Sequence, residues 1–210
     1  MNILITAGLF YPSRLGGPAN TLYWLAKGFV KNGYKVTVVS SNQHIDKDKI
    51  RKDEWSSIDN IRVRYCTAKT KLAFRVIWYS IKELKKTDVV ILSSTFYIPC
   101  IFVALAAHFY NKKTIWSPRG ELFDTGMNNN HIKKLYVYII KLLFAKNVLF
   151  HATSIDEKNQ IVKYLGEKVS VCIIPNYIEL PKKQLKIQDT NNYILYLGRI
   201  APIKALENLL

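Results

Sequence analysis

"NILITAGLFYPSRLGGPANTLYWLAKGFVKNGYKVTVVSS", residues 2–41, decides the fold. An apolar run (2–7) opens it and a second (34–41) closes it. Between them lie a glycine-bearing loop and a segment of helical period. Within 19–33, Leu22, Leu25, Ala26, Phe29 and Val30 recur at i, i+3, i+4, i+7 and i+8, so they share one face of a helix. Asn32-Gly33 supplies the stop, because glycine accepts the left-handed backbone of a helix C-terminus. Strand, loop, helix and strand in this order form a βαβ unit, which joins parallel strands.

The alternation continues. "IRVRYC" (61–66), "DVVILSS" (88–94), "KTIWSP" (113–118), "VLFHATS" (148–154) and "VSVCIIP" (169–175) read as further strands. Several are continuous apolar runs, as parallel strands covered on both faces require. Residues 153–166 read as a helix that Ser154 and Glu157 open with a capping box and Gly166 closes. Residues 89–107 are uncharged and near the length of a membrane span. Ser93, Ser94, Thr95 and Pro99 divide them instead into strand, loop and buried helix. The expected fold class is α/β, with a doubly wound, mostly parallel sheet over residues 1–177. Residues 178–192 are polar, carry Pro181 and lack a period, so they read as a linker. Residues 193–210, "YILYLGRIAPIKALENLL", read as a strand, a Gly-Arg turn and a helix start. That is the opening of a second α/β domain, expected to be incomplete here.

The chain carries 31 Lys+Arg against 15 Asp+Glu, a net charge of +16. Such a chain is drawn to nucleic acid, anionic lipid or phosphorylated substrates. Composition does not choose among these, and a biased genome also inflates lysine. The aromatics are not interleaved with Lys and Arg as stacking platforms, so a nucleic-acid partner is disfavoured. Cys66, Cys100 and Cys172 are odd in number and widely spaced, which argues against a disulfide framework and for a reducing compartment. No metal-ligand spacing occurs among Cys and His. "MNILITAGLF" lacks a basic n-region and reads as a first strand, not a signal peptide.

Four stretches could carry chemistry. The loop "GLFYPSRLGGPAN" (8–20) should lie at the carboxyl edge of the sheet. Gly16 and Gly17 precede a helix, whose dipole and free N–H groups favour an anion; a plain turn is the alternative. The pattern is not GxGxxG and no acidic residue ends the second strand, which disfavours a dinucleotide. In "WSPRGELFDTG" (116–126), Arg119 and Glu121 should reach the same edge. There Arg119 could hold a phosphate or sugar, or pair locally with Glu121 or Asp124. "HIKKLYVYIIKLLFAKNVLF" (131–150) is apolar nearly all round, with Lys133, Lys134 and Lys141 inside about a 100° arc. That stripe suits an anionic membrane surface, or equally a buried helix with one solvated edge; residues 71–86 are similar. Arg199 and Lys204 could reach a diphosphate or be ordinary surface charge.

Six stretches taken in order resemble family 4 glycosyltransferases of the GT-B fold, of the bacterial surface-polysaccharide type. They are "GGPANTLYWLAKGFVKNGYKVTVVS", "DVVILSSTFY", "SPRGEL", "HIKKLYVYIIKLLFAKNVLFHATSIDEKNQI", "VCIIPNYIELP" and "LYLGRIAPIKALENLL". The resemblance implies two Rossmann-like domains across a cleft, the first binding the acceptor and the second a nucleotide-sugar donor. It implies retention of anomeric configuration, no metal, and no cofactor beyond the nucleotide sugar as co-substrate. Gly16 and Gly17 would lie near the donor diphosphate, and Arg199 and Lys204 would hold it, since fixed cations stabilise the charge growing on the leaving group. Asn20, Arg119, Gly120 and Glu121 would lie on the acceptor side. The acceptor would be lipid-linked or a glycan, with Lys133, Lys134 and Lys141 on the anionic inner face of the plasma membrane. The chain would then be cytoplasmic and peripheral. Two positions depart from the family: Ala205 follows Lys204 and Tyr177 follows Asn176 where glycine is usual. The paired-glutamate motif that grips the donor sugar has no counterpart in these residues. The expectation is therefore the acceptor half of a hexosyltransferase-like enzyme of polysaccharide, O-antigen or capsule synthesis, inactive alone. Its rival is a non-catalytic acceptor- and membrane-binding subunit completed by a separate donor-domain chain.

Overall fold

The computed structural model describes residues 1–13, 15, 17–68, 72–127, 131–179, 195–196 and 206–209. Met1–Glu179 forms one compact unit and Leu180–Leu210 a second. In the first, the strands are β1 (Asn2–Ala7), β2 (Lys35–Ser41), β3 (Trp55–Ile58), β4 (Ile61–Cys66), β5 (Val89–Ser93), β6 (Lys113–Ser117), β7 (Leu149–Ala152) and β8 (Ser170–Ile173). The helices are α1 (Gly17–Lys31), α2 (Phe74–Leu84), α3 (Pro99–Phe109), α4 (Asp124–Met127), α5 (His131–Phe144) and α6 (Ile155–Leu165). The sheet order is β3-β4-β2-β1-β5-β6-β7-β8, parallel throughout except that β3 runs against β4.

The order steps one way from β1 to β4 and the other way from β5 to β8. Crossovers between parallel strands are right-handed, so the two directions place helices on opposite faces. Leu22 and Ala26 of α1 pack on Ile3, Ile5, Val36, Val38 and Val63. Val76, Val103, Ile140 and Ile161, from α2, α3, α5 and α6, pack on Leu4, Val39, Leu92, Trp116 and Phe150. Neighbours in β1 thus alternate between the two cores, as the period of two in a strand demands. Trp116 anchors the larger core. Its ring stacks on Phe150 at 6.3 Å and meets Phe144 edge-on at 5.6 Å, and its Nε1 donates to the Ser94 carbonyl at 3.0 Å.

Residues 89–107 form β5, a loop and the buried side of α3, with Pro99 in its first turn. Among the described residues, no helix is long and apolar enough to cross a membrane. One strand was not foreseen. β3 pairs with β4 through Asp59-Asn60, both at positive φ (48° and 63°). Asn-Gly is the usual signature of such a turn, and its absence hid the hairpin. Of the expected linker and second domain (178–210), only Ile178, Glu179, Leu195, Tyr196 and Leu206–Leu209 lie among the described residues, the last as one turn of 3-10 helix.

Replacing Trp116 by Ala should lower the unfolding free energy by about 3–5 kcal/mol, measured by urea titration of far-UV circular dichroism. Trp116→Phe should cost less but still leave the buried Ser94 carbonyl without its donor, at about 1–3 kcal/mol.

Candidate active site

In an open parallel sheet, ligands bind beyond the carboxyl ends of the strands where the order reverses. Here that point lies between β1 and β5. A cavity of about 300 Å³ occupies it. It is lined after β1 by Gly8, Leu9, Leu15 and Pro18, after β2 by Gln43 and His44, after β5 by Ser94, Phe96 and Tyr97, and after β6 by Arg119 and Glu121. Gly8 is there because of the Tyr97 ring: a Cβ on Gly8 would meet it at 3.1 Å.

Two carboxylates set the turn after β6. Glu121 accepts from Ser94 Oγ (2.7 and 2.9 Å), Thr95 N (2.5 Å) and Phe96 N (3.0 Å). It thereby clamps the loop after β5, where Ser94 sits at φ 86°. Glu157, only 1% exposed, accepts from Gly120 N, Thr153 N and Thr153 Oγ1, each at 2.7 Å. Its own N–H donates to Ser154 Oγ at 3.2 Å. Half of the expected capping box is therefore present. The Glu157 side chain reaches the residue before the N-cap and the turn across from it, not the Ser154 amide.

Between the clamps, Arg119 and Gly120 both adopt left-handed backbone, at φ 60° and 76°. Arg119 Nη1 donates to Asn176 Oδ1 at 3.2 Å, while its Nε and Nη2 are buried without a partner among the described residues. Burial holds the guanidinium below the ordinary arginine value, and the Glu157 charge opposes that shift. Tyr97 Oη is likewise buried and unpaired among the described residues, and burial raises its pKa, so it stays a neutral donor. Unpaired buried donors cost free energy until a ligand or solvent meets them. The local pairing of Arg119 with Glu121 or Asp124 does not occur: Glu121 is turned to the 94–96 loop, and Asp124 takes Lys163 (2.8 and 3.0 Å) and Tyr164 (2.8 Å).

His151 joins the same region. Its Nε2 lies 2.8 Å from the Ile174 carbonyl and its Nδ1 3.0 Å from Ser117 Oγ. A carbonyl only accepts, so Nε2 carries the proton and Nδ1 accepts from the serine in the neutral ring. Burial holds the His151 pKa below its ordinary value, with the Ile174 bond opposing and Arg119 adding to the depression. His151 and Arg119 thus tie the chain leaving β8, residues 174–176, to the turn after β6. Tyr177 follows and lies against α1, where a Cβ on Gly28 would meet its ring at 3.4 Å. Sequence patterns did not single out Glu157 as a clamp or His151 as a pin, because each acts across a sequence gap that spacing does not encode.

The other named residues distribute as follows. Gly17 is the exposed first residue of α1, with open space where a Cβ would point. Asn20 is exposed on α1 and is not among the residues that line the cavity. The Gly120 amide is held by Glu157. Lys133, on α5, sits with Nζ 5.0 Å from the centre of the Phe96 ring at the edge of the cavity. Lys134 is exposed, and the Lys141 chain runs beside Gly166, 3.4 Å from where a Cβ would be. Gly16, Arg199 and Lys204 lie outside the described residues. Among the described residues, no group of three His, Cys, Asp or Glu side chains could hold a metal ion.

A mostly parallel sheet with helices on both faces and a crevice at its switch point is the architecture of the GT-B glycosyltransferases. The chain belongs to Glycosyltransferase Family 4, whose family model matches residues 15–181. It is similar in structure to Anabaena Alr3699/HepE in complex with UDP (TM-score 0.61, 14% identity, covering 85% of this chain and 45% of that one). It is similar also to sucrose-phosphate synthase (tll1590) from Thermosynechococcus elongatus (TM-score 0.60, 10% identity, covering 83% and 48%). The chain spans about half the length of these two structures. No curated protein sequence matches it significantly.

Glu121→Ala should lower the unfolding free energy by about 1–3 kcal/mol in urea titration, because it strands the Thr95 and Phe96 amides. Glu121→Gln keeps an acceptor oxygen and should cost less. For His151, the folded pKa is depressed, so the unfolded chain binds the proton more readily. Its contribution is fully present above the ordinary histidine value of about 6.5 and is lost as pH falls from there through the lower folded value. Unfolding free energies measured between pH 8 and pH 5.5 should therefore fall more steeply for the wild type than for His151→Gln.

Proposed function

We propose that residues 1–177 are the acceptor-binding half of a retaining, nucleotide-sugar-dependent hexosyltransferase of bacterial polysaccharide, O-antigen or capsule assembly. The observation that carries this is the crevice at the β1–β5 switch, which Arg119 lines in a chain of this family. HepE is known in complex with UDP and with UDP-glucose, which supports a nucleotide sugar as the donor here. In this proposal Gly16 and Gly17 approach the donor diphosphate, and Arg199 and Lys204 hold it as charge builds on the departing nucleoside diphosphate. Arg119 contacts the acceptor, Gly120 and Glu121 fix its turn, and Asn20 flanks the entrance. No metal or further cofactor is assigned a step.

The acceptor is a lipid-linked or free glycan presented at the inner face of the plasma membrane. Lys133, Lys134 and Lys141 face its anionic headgroups, making the protein cytoplasmic and peripheral. In this proposal the donor half is not among these 210 residues, which alone do not turn over.

Purified chain, a panel of radiolabelled nucleotide sugars and a bacterial lipid-linked oligosaccharide extract should give no labelled product. Product from the chain alone would overturn the claim of inactivity. In calorimetric titration with a detergent-solubilised polyprenyl-diphosphate saccharide, Arg119→Ala should weaken binding roughly 10-fold or more, the loss expected for a charge-assisted hydrogen bond. An unchanged affinity removes Arg119 from the acceptor site.

A further inference from the structure

We propose that the apolar cavity between α1 and the β5–β8 half of the sheet is a second ligand site, which takes a small amphiphile with one anionic head and an apolar body of about seven or eight carbon atoms. It goes beyond the acceptor reading: of the described residues, this cavity and the crevice share Arg119 alone.

The cavity follows from strand alternation. Leu92, Trp116 and Phe150 turn into the larger core, so their neighbours turn to the other face of the sheet. There Ile91, Ile115 and Leu149 stand in one paired row across β5, β6 and β7 and form the floor. Leu25 and Phe29 of α1 make one wall. Residues 174–177, where the chain leaves β8, make another. Three contacts fix that second wall: His151 Nε2 on the Ile174 carbonyl, Arg119 Nη1 on Asn176 Oδ1, and the Tyr177 ring beside Gly28. The walls are thus set by the fold itself, and about 210 Å³ lies between them. A preformed apolar pocket with a few convergent polar groups is the usual form of a small-molecule site.

Size selects the body of the ligand. One turn of α-helix, about 10 Å across and about 5.4 Å long, sweeps about 400 Å³, so a docking helix would have to displace the pinned wall. An apolar cavity of about 150 Å³ suffices for benzene, and at roughly 30 Å³ for each group the size of a water this one holds about seven. Charge selects the head. Among the described lining residues Arg119 alone carries a full charge, with no Asp, Glu or Lys beside it. His151 is neutral, since burial lowers its pKa and both its ring nitrogens are engaged. A guanidinium has five N–H donors, and Asn176 takes one of them. A single cation in an apolar wall attracts one anion strongly, because little solvent screens it there.

The test uses the full chain and a series of linear alkanoates. Cys172 lines the cavity, whereas Cys66 and Cys100 are fully buried, so Cys172 is the thiol that iodoacetamide reaches in the folded chain. Octanoate should slow alkylation of Cys172, read by mass spectrometry of its peptide, and should bind one to one in calorimetry. From butanoate to octanoate, affinity should rise about fourfold per methylene, the gain from burying one CH2 group, and then level off. Octanol, the same body without the charge, should bind roughly 10-fold more weakly. Leu149→Trp, at a side chain already 37% exposed, should fill the cavity and abolish both protection and binding, with unchanged circular dichroism. Tyr97→Phe, in the crevice wall, should keep both. Failure of saturating octanoate to protect Cys172, or an affinity still rising beyond decanoate, would overturn the site. Octanol binding as tightly as octanoate would overturn the anionic head. Binding lost in Tyr97→Phe and kept in Leu149→Trp would put the ligand in the crevice and contradict the proposal.

Discussion

Right-handed crossover is the constraint from which the rest of this unit follows. It lets the chain build outward from β1 in one direction and from β5 in the other only by placing helices on opposite faces. The strand order therefore reverses between β1 and β5, and the connections there diverge. Divergence leaves the crevice, and the loops after β1, β2, β5 and β6 become its walls. The same rule collects α2, α3, α5 and α6 on one side of the sheet and leaves α1 on the other. One layer thus gathers apolar and basic helices, and the crevice lies at the sheet's edge beside it.

Within that frame, two carboxylates, Glu157 buried and Glu121 partly so, do the local shaping. Glu121 and Glu157 bracket two left-handed residues and spend their lone pairs on backbone amides. A carboxylate accepting several N–H groups is satisfied without a cation. That leaves Arg119 without a salt bridge to either acid. Its bond to Asn176, with the His151 bond to Ile174, also joins the crevice wall to the segment where the chain leaves the sheet.

Much of the fold was legible because apolar runs and helical period are local signals. The strands from β1 to β8, except β3, sit where those runs are. β3 was missed because its turn uses Asp59-Asn60 and not a glycine, and because a four-residue edge strand buries too little to leave a pattern. The site was legible in part. Arg119 and Glu121 could be placed at the carboxyl edge from the strand before them, but not the direction in which Glu121 turns. Tyr97 and His44 carry no signal until the loops after β5 and β2 are brought together. Tyr177, which departs from the family's glycine, lies with its ring beside Gly28 on α1.

The central claim is that the crevice at the β1–β5 switch receives the acceptor. Photo-crosslinking with a diazirine-bearing lipid-linked saccharide, followed by peptide mapping, tests it most directly. The account predicts labelled peptides from residues 94–97 and 118–121, with labelling suppressed by unlabelled acceptor. Specific labelling confined to the exposed face of α1, or to the amino ends of the strands, would contradict it.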